Sequence, residues 1–164
     1  MTEILLEPDT QKVTEALAFI SSFSSVVLGS VTKTGEPHAS YAPYITDAGK
    51  FYIYVSSLAQ HASTLANGAA SMFFIENEKQ AKTIFARRRL TISCRVSTIS
   101  PDNPYYESRL DGLQARHGST FKVLRTLPDF VLFELSPGQA SFVTGFGAAY
   151  DLTESLAELT IAAK

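Results

Sequence analysis

Residues 26–57 read VVLGSVTKTGEPHASYAPYITDAGKFYIYVSS: three apolar, β-rich runs (26–32, 38–46 and 51–57) separated by two turns. The turns are Lys33-Thr34-Gly35-Glu36-Pro37 and Asp47-Ala48-Gly49-Lys50, whose Gly, Pro and Asp residues supply turn chemistry, so the stretch reads as an antiparallel meander. Upstream, Val13, Ala16, Leu17 and Ile20 recur at helical spacing behind Pro8 and Asp9, which predicts an amphipathic helix over about 9–22. Downstream, Leu58, Ala62 and Leu65 share one side of a short helix over 59–67, stopped at Gly68. A strand over 70–76, a polar stretch over 77–82 and a long strand over 87–99 follow. Pro101 to Pro104 forms a turn, and Tyr106, Leu110, Leu113 and Ala115 predict a helix over 104–117 that ends at Gly118. Two final strands, 130–135 and 140–144, are expected to join through Ser136-Pro137-Gly138.

Six or seven closely spaced strands with few helices favour a mainly β fold, an antiparallel barrel with helical decoration, over an alternating parallel sheet. The 164 residues suit one domain: helix at about 9–22, barrel at about 26–145, tail at 146–164. With 45% hydrophobic and 18% charged residues, the chain can bury enough apolar surface to fold. Fourteen basic and 16 acidic residues leave a net charge of -2, which gives no overall field for nucleic acid. The single Cys94 cannot form an internal disulfide and alternates with Leu90, Ile92 and Val96, as a small buried hydrophobe of a reducing compartment does. No cysteine-rich metal cluster is available. MTEILLEPDT carries acids where a secretion signal carries bases, and no run reaches the ~18 apolar residues of a membrane span. A cytoplasmic protein with no membrane partner is expected.

Chemistry concentrates at residues 51–65, FYIYVSSLAQHASTL, where a strand runs through small hydroxylic residues into a helix. Ser56 and Ser57 hydroxyls, first-turn amides and a protonated His61 could together hold an anion. Alternatively Ser57 caps the helix and His61 lies in solvent. Arg87-Arg88-Arg89 opens a strand, so alternation sends Arg88 to the face opposite Arg87 and Arg89. Such guanidiniums can serve phosphate or a flavin carbonyl, or simply guard an edge against aggregation. A barrel can bring Arg89 beside the Ser56-to-His61 corner. His38 and His117 read as structural, Tyr105 and Tyr106 as packing residues. Gly145-Phe146-Gly147 is a weak phosphate loop, and no catalytic acid, base or nucleophile stands out.

The order of FYIYVSSLAQHASTLAN, ASMFFIE, IFARRRLTISCRV and PDFVLFELSPGQASFVTGFGAAY resembles the pyridoxamine-phosphate-oxidase-like, FMN-binding split barrel, nearest its haem-utilisation branch. The resemblance spans about residues 10–152, with ARRRLT and GFGAAY its most specific parts. It implies a six-stranded split barrel, a homodimer, and FMN or haem in clefts between subunits. It places Ser40 and Tyr41 along the flavin, Val55, Ser56 and Ser57 near its phosphate, His61 at a phosphate-binding lysine's position, and Arg89 near the ring. Asp129 matches an acidic residue near the haem pocket of haem-degrading relatives. Those relatives take an iron ligand from a C-terminal histidine, whereas the histidines here are His38, His61 and His117. The reading put first is therefore an FMN-dependent oxidoreductase acting on an unidentified small molecule, and the alternative is a haem-binding or haem-utilisation protein.

Overall fold

The computed structural model describes residues 5–6, 10–152 and 156. Its elements begin with β1 (Leu5–Leu6), α1 (Thr10–Ser21), β2 (Ser25–Val31), β3 (Pro37–Pro43), β4 (Ile45–Asp47), β5 (Lys50–Ser56), α2 (Gln60–Leu65) and β6 (Ala69–Ile75). A 3-10 turn at Ile84–Ala86 leads into β7 (Arg89–Ile99), α3 (Tyr106–His117), α4 (Ser119–Leu124), β8 (Phe130–Gly145) and β9 (Ala148–Asp151). The strands follow the order β1-β9-β8-β7-β6-β2-β3, with β5 paired to β8 and β4 to β5. All pair antiparallel except β1, which runs parallel to β9. Between β3 and β5 there is contact but no ladder pairing, so the barrel is split there.

The mainly β split barrel is as expected, but the sheet has nine strands where six were expected; β2, β3, β5, β6, β7 and β8 are its long members. The break expected at Ser136-Pro137-Gly138 does not occur, because β8 runs unbroken for 16 residues. Pro137 sits beside a bulge of β8: Ile92 pairs with Ala140 and Cys94 with Pro137, so two residues of β8, Gly138 and Gln139, face the single Ser93 of β7. The run expected over 38–46 divides at Tyr44, a fully buried side chain between β3 and β4. Helix α4 lies in what reads as a loop, since six residues are too few to show a period. Helix α1 matches its expected span, although residue 9 lies outside the described residues. Of the expected tail, β9 is described, while 153–155 and 157–164 fall outside. No helix among the described residues is long and apolar enough to cross a membrane.

Alternation decides what enters the barrel. Along β7 the buried residues are Leu90, Ile92, Cys94 and Val96, every second one, as the two-residue period of a strand requires. They meet Leu28, Ile53, Met72, Phe74, Leu135 and Phe142 in the main core. Helix α1 closes one end of the barrel, its Phe19 ring 5.5 Å from Phe142. Helix α2 closes the other with Ala62 and Leu65, and Gly68 at φ 92° supplies the left-handed turn after it. The Cys94 thiol donates to the Ala70 carbonyl at 3.3 Å, and burial pushes its pKa up to about 12, so it stays a protonated core group.

Outside the barrel, α3 and α4 cover a second core of Ile45, Tyr52, Tyr54, Leu110, Leu113, Phe121 and Leu132. Gly112 lets α3 approach β4, because a Cβ there would stand 2.9 Å from Ile45 Cδ1. An ionic network borders this core. Lys50 Nζ and the Tyr52 hydroxyl donate to the Glu134 carboxylate at 2.8 and 2.9 Å, while Arg109 lies 4.7 Å from the Tyr52 ring centre and pairs with Asp47 at 2.7 Å. Burial alone would raise the Glu134 carboxyl, but the bonds from Lys50 and Tyr52 outweigh it and hold it below the usual range. A carboxyl depressed in the folded state adds stability above its unfolded pKa of ~4.3 and loses it as pH falls through the folded value. Glu134→Gln is therefore expected to cost about 1 to 2 kcal/mol at pH 7 and little at pH 3, measured by urea unfolding at both pH values.

Candidate functional site

The split between β3 and β5 collects most of the residues singled out from the sequence. Strand β5 ends at Ser56 beside the start of β8, with Ser56 opposite Phe130 in the ladder. This register brings Asp129 to the corner across 73 residues of chain: the Ser56 hydroxyl donates to Asp129 Oδ2 at 2.9 Å. The same hydroxyl accepts from the Leu58 amide at 3.2 Å, and the Ser57 amide donates to the Asp129 carbonyl at 2.6 Å. Ser57 itself is exposed and does not cap a helix, because α2 starts at Gln60 with Ala59 at its cap and no side-chain bond there. With six residues, α2 is too short to act as a substantial dipole.

Helix α2 is instead tied to the β2–β3 hairpin through side chains. Thr64 Oγ1 shares a buried 2.7 Å hydrogen bond with Ser30 Oγ, and Asn67 donates to the Val31 carbonyl at 2.9 Å. His61 lies one turn before Thr64, whose hydroxyl donates to the His61 carbonyl at 3.1 Å. His38 pairs with Ser30 across the hairpin and therefore projects to the same side of the sheet. The two imidazoles thus face one another's neighbourhood. Burial, and then the nearby His38, lower the His61 pKa from its ordinary value, so the folded protein prefers a neutral imidazole. A histidine depressed in this way favours unfolding as pH drops below ~6.5, and its contribution to stability rises with pH through that window.

Ser40, two residues from His38 on the same face, is half-buried, and its hydroxyl is buried without a hydrogen-bond partner. An orphaned buried hydroxyl on the strand face that carries His38 is the kind of group a ligand satisfies. Tyr41 points the other way and is 65% exposed. Val55 precedes Ser56 at the end of β5, with its side chain buried in the main core. His38, read from the sequence as structural, joins the site, and its signal was its place two residues before Ser40.

Arg89 is not brought to this corner within one chain. Ser30 lies beside Ala70, whose partner on β7 is Cys94, whereas Arg89 pairs with Ile75 at the other end of the same strands. Five residues of strand separate the two levels, roughly 17 Å. The three arginines divide their work. Arg87 donates to the Glu76 carbonyl and to Glu78, and Arg88 pairs with Glu76 and lies 5.2 Å from the Phe19 ring centre. Arg89 makes a 3.4 Å bond to the Arg87 carbonyl and, among the described residues, has no carboxylate partner.

Beside His38, a shallow concavity of about 670 Å³ runs over Gly29, Ala39, Ala69, Ser71 and Ser93, whose small side chains form its floor. That volume is in the range of small-molecule sites. Two cofactors can be weighed against these groups. A phosphate of FMN needs donors, but the Ser56 hydrogen is committed to Asp129, a carboxylate stands at the corner, and His61 is held neutral. The fit to FMN at this corner is poor. Haem needs an imidazole for iron, an apolar platform and cations for its propionates: His38 and His61 offer imidazoles, while the small-residue floor, Tyr41 and Arg89 lie on the opposite face of the sheet from His38 and Ser40. Among the described residues no cluster of three or more His, Cys, Asp or Glu could bind a bare metal ion.

Comparison with known proteins agrees with this architecture. A family model described as pyridoxamine 5'-phosphate oxidase matches residues 13–144. Heme oxygenase HutZ of Vibrio cholerae serotype O1 is 34% identical over 149 residues, covering 90% of this chain and 81% of HutZ. The crystal structure of HutZ described as the heme storage protein of Vibrio cholerae superposes with a TM-score of 0.75 at 32% identity, covering 82% of this chain and 96% of that one. Campylobacter jejuni ChuZ superposes with a TM-score of 0.80 at 28% identity over 91% of this chain and 62% of its own. The chain belongs to the pyridoxamine 5'-phosphate oxidase family, on its HutZ-like branch.

Proposed function

We propose that this protein binds haem for its storage, delivery or breakdown, and that it does so as a homodimer with the cofactor between subunits. The observation that carries the haem reading is the pair of imidazoles at the split, of which His61 has its pKa lowered by burial and by His38, with no lysine or arginine paired to the adjacent Asp129 among the described residues. The names of its relatives HutZ and ChuZ point the same way, and together these weigh for the haem alternative over the FMN reading put first from the sequence. Cys94 is an unsuitable ligand, since only the thiolate binds metal and burial keeps this thiol protonated. Bound haem would supply the iron chemistry. The chain's part is to offer an imidazole, to seat the ring over small side chains and to neutralise propionates.

The dimer is supported by the outer face of β2 and β3. Val27, Val31 and Tyr41 lie on that face and are 43%, 45% and 65% exposed, an apolar surface that a second copy would cover. A twofold axis lying in this face and across the strands would set Arg89 of one copy near the His38–His61 end of the other. A single chain cannot do this.

Titration of the purified protein with hemin tests the reading. A sharp Soret band with a saturating stoichiometry is expected, and His38→Ala with His61→Ala together should weaken binding at least about tenfold. Spectra indistinguishable from free hemin, or tight retention of flavin in the protein as purified, would return the function to the flavin reading.

A further inference from the structure

We infer that Asp129 is the residue that sets the ligand specificity of the Ser56–His61 corner, by barring phosphorylated ligands from it. This stands apart from the haem proposal, because it concerns what the corner rejects. In sequence the corner looks like an anion site: two serine hydroxyls, then a helix carrying His61. Folding adds a carboxylate from 73 residues away, and the only side-chain bond to that carboxylate among the described residues comes from the Ser56 hydroxyl. Among the described residues no lysine or arginine pairs with it.

The consequences are electrostatic and geometric at once. A hydroxyl has one hydrogen to donate, and Ser56 spends it on Asp129 while its oxygen accepts from Leu58. A phosphate within reach of Ser57 would therefore find one exposed hydroxyl, a like charge on the carboxylate held by the adjacent Ser56 and, among the described residues, no cation paired with that carboxylate. His61 does not reverse the balance: with burial and His38 both opposing its protonation, an entering dianion must first recruit a proton there. A neutral hydroxyl-bearing or apolar group meets none of these obstacles. Asp129 thus discriminates between two molecules that differ only by a phosphate, such as riboflavin and FMN.

The experiment compares those two flavins on the full chain and on Asp129→Asn, by calorimetric or fluorescence titration at pH 7.5. Asparagine retains an acceptor oxygen for the Ser56 hydroxyl and removes the charge. Thermal melts of both proteins check that the fold is kept. The wild type is expected to bind FMN no more tightly than riboflavin, and Asp129→Asn to improve FMN affinity relative to riboflavin by about tenfold or more. A second readout uses the wild type alone: added inorganic phosphate should leave the His61 ring proton resonances unmoved. Three results would overturn the inference: FMN preferred over riboflavin by the wild type, an FMN-to-riboflavin ratio unchanged in Asp129→Asn (including no FMN binding by either protein), or saturable phosphate shifts of His61 in the wild type.

Discussion

Phe74→Ala is expected to destabilise the fold by about 3 to 5 kcal/mol, the range for deleting a buried aromatic ring. Phe74 is 1% exposed and central to an aromatic group: its ring centre is 5.6 Å from Phe23, 5.7 Å from Tyr44 and 6.2 Å from Phe51. These rings come from the segment after α1, the β3–β4 junction and β5, so none can follow a vacated space without moving its own strand. Tyr44 is further pinned, since its hydroxyl lies within hydrogen-bond reach of the carbonyls of Ile20 and Phe23 and donates its one hydrogen between them. The cavity should therefore stay open, with the cost near the top of the range. At roughly 2 to 4 °C per kcal/mol for a domain of this size, the melting temperature should fall by about 6 to 20 °C. A loss below about 1 kcal/mol in urea unfolding would show that the group collapses and is packed less tightly than its geometry indicates.

Val31→Asp is expected to break the proposed dimer. In the isolated chain Val31 is 45% exposed at the end of β2, so the substitution should change monomer stability by no more than about 0.5 kcal/mol. In a dimer packed through this face the same carboxylate would lose water without gaining a partner, and the aspartate repeats in both copies. A penalty of several kcal/mol follows, enough to raise the dimer dissociation constant by at least about 100-fold. Sedimentation at micromolar concentration should show a dimer for the wild type and a monomer for the variant. Should the wild type sediment as a monomer, or the variant as a dimer, the interface lies elsewhere or does not exist. Hemin binding should weaken along with dimerisation, because Arg89 and the histidines are too far apart to act together in one chain.

What could be read in advance follows the range over which each signal acts. The turns at residues 33–37 and 47–50 and the alternation of Leu90, Ile92, Cys94 and Val96 are local, and they give the barrel and its core correctly. Pro137 misleads because it sits beside a bulge in its own strand that shows only in the pairing with β7. The same limit governs the site. Ser56, Ser57 and His61 announce an anion site by themselves, and the Asp129 that changes its character arrives through strand pairing. Arg89 has suitable chemistry at an unsuitable level of the barrel, a matter of register that composition and spacing do not encode.

The 16-residue β8 pairs with β7 along its length, with β5 through its first half and with β9 near its end. On the ribosome this makes it the last long piece to arrive. Ser56 waits for Asp129 across 73 residues, about 4 to 15 s at ~5 to 20 residues per second. Through that interval β5 has no long strand to pair with, and its apolar residues Phe51 to Val55 have only half a barrel to enter. The nascent chain therefore passes through a period in which its stickiest strand is made but unsheltered. Truncated products ending before β8 should aggregate, and high yield of native protein should depend on chaperone capacity more than on the final stability of the barrel.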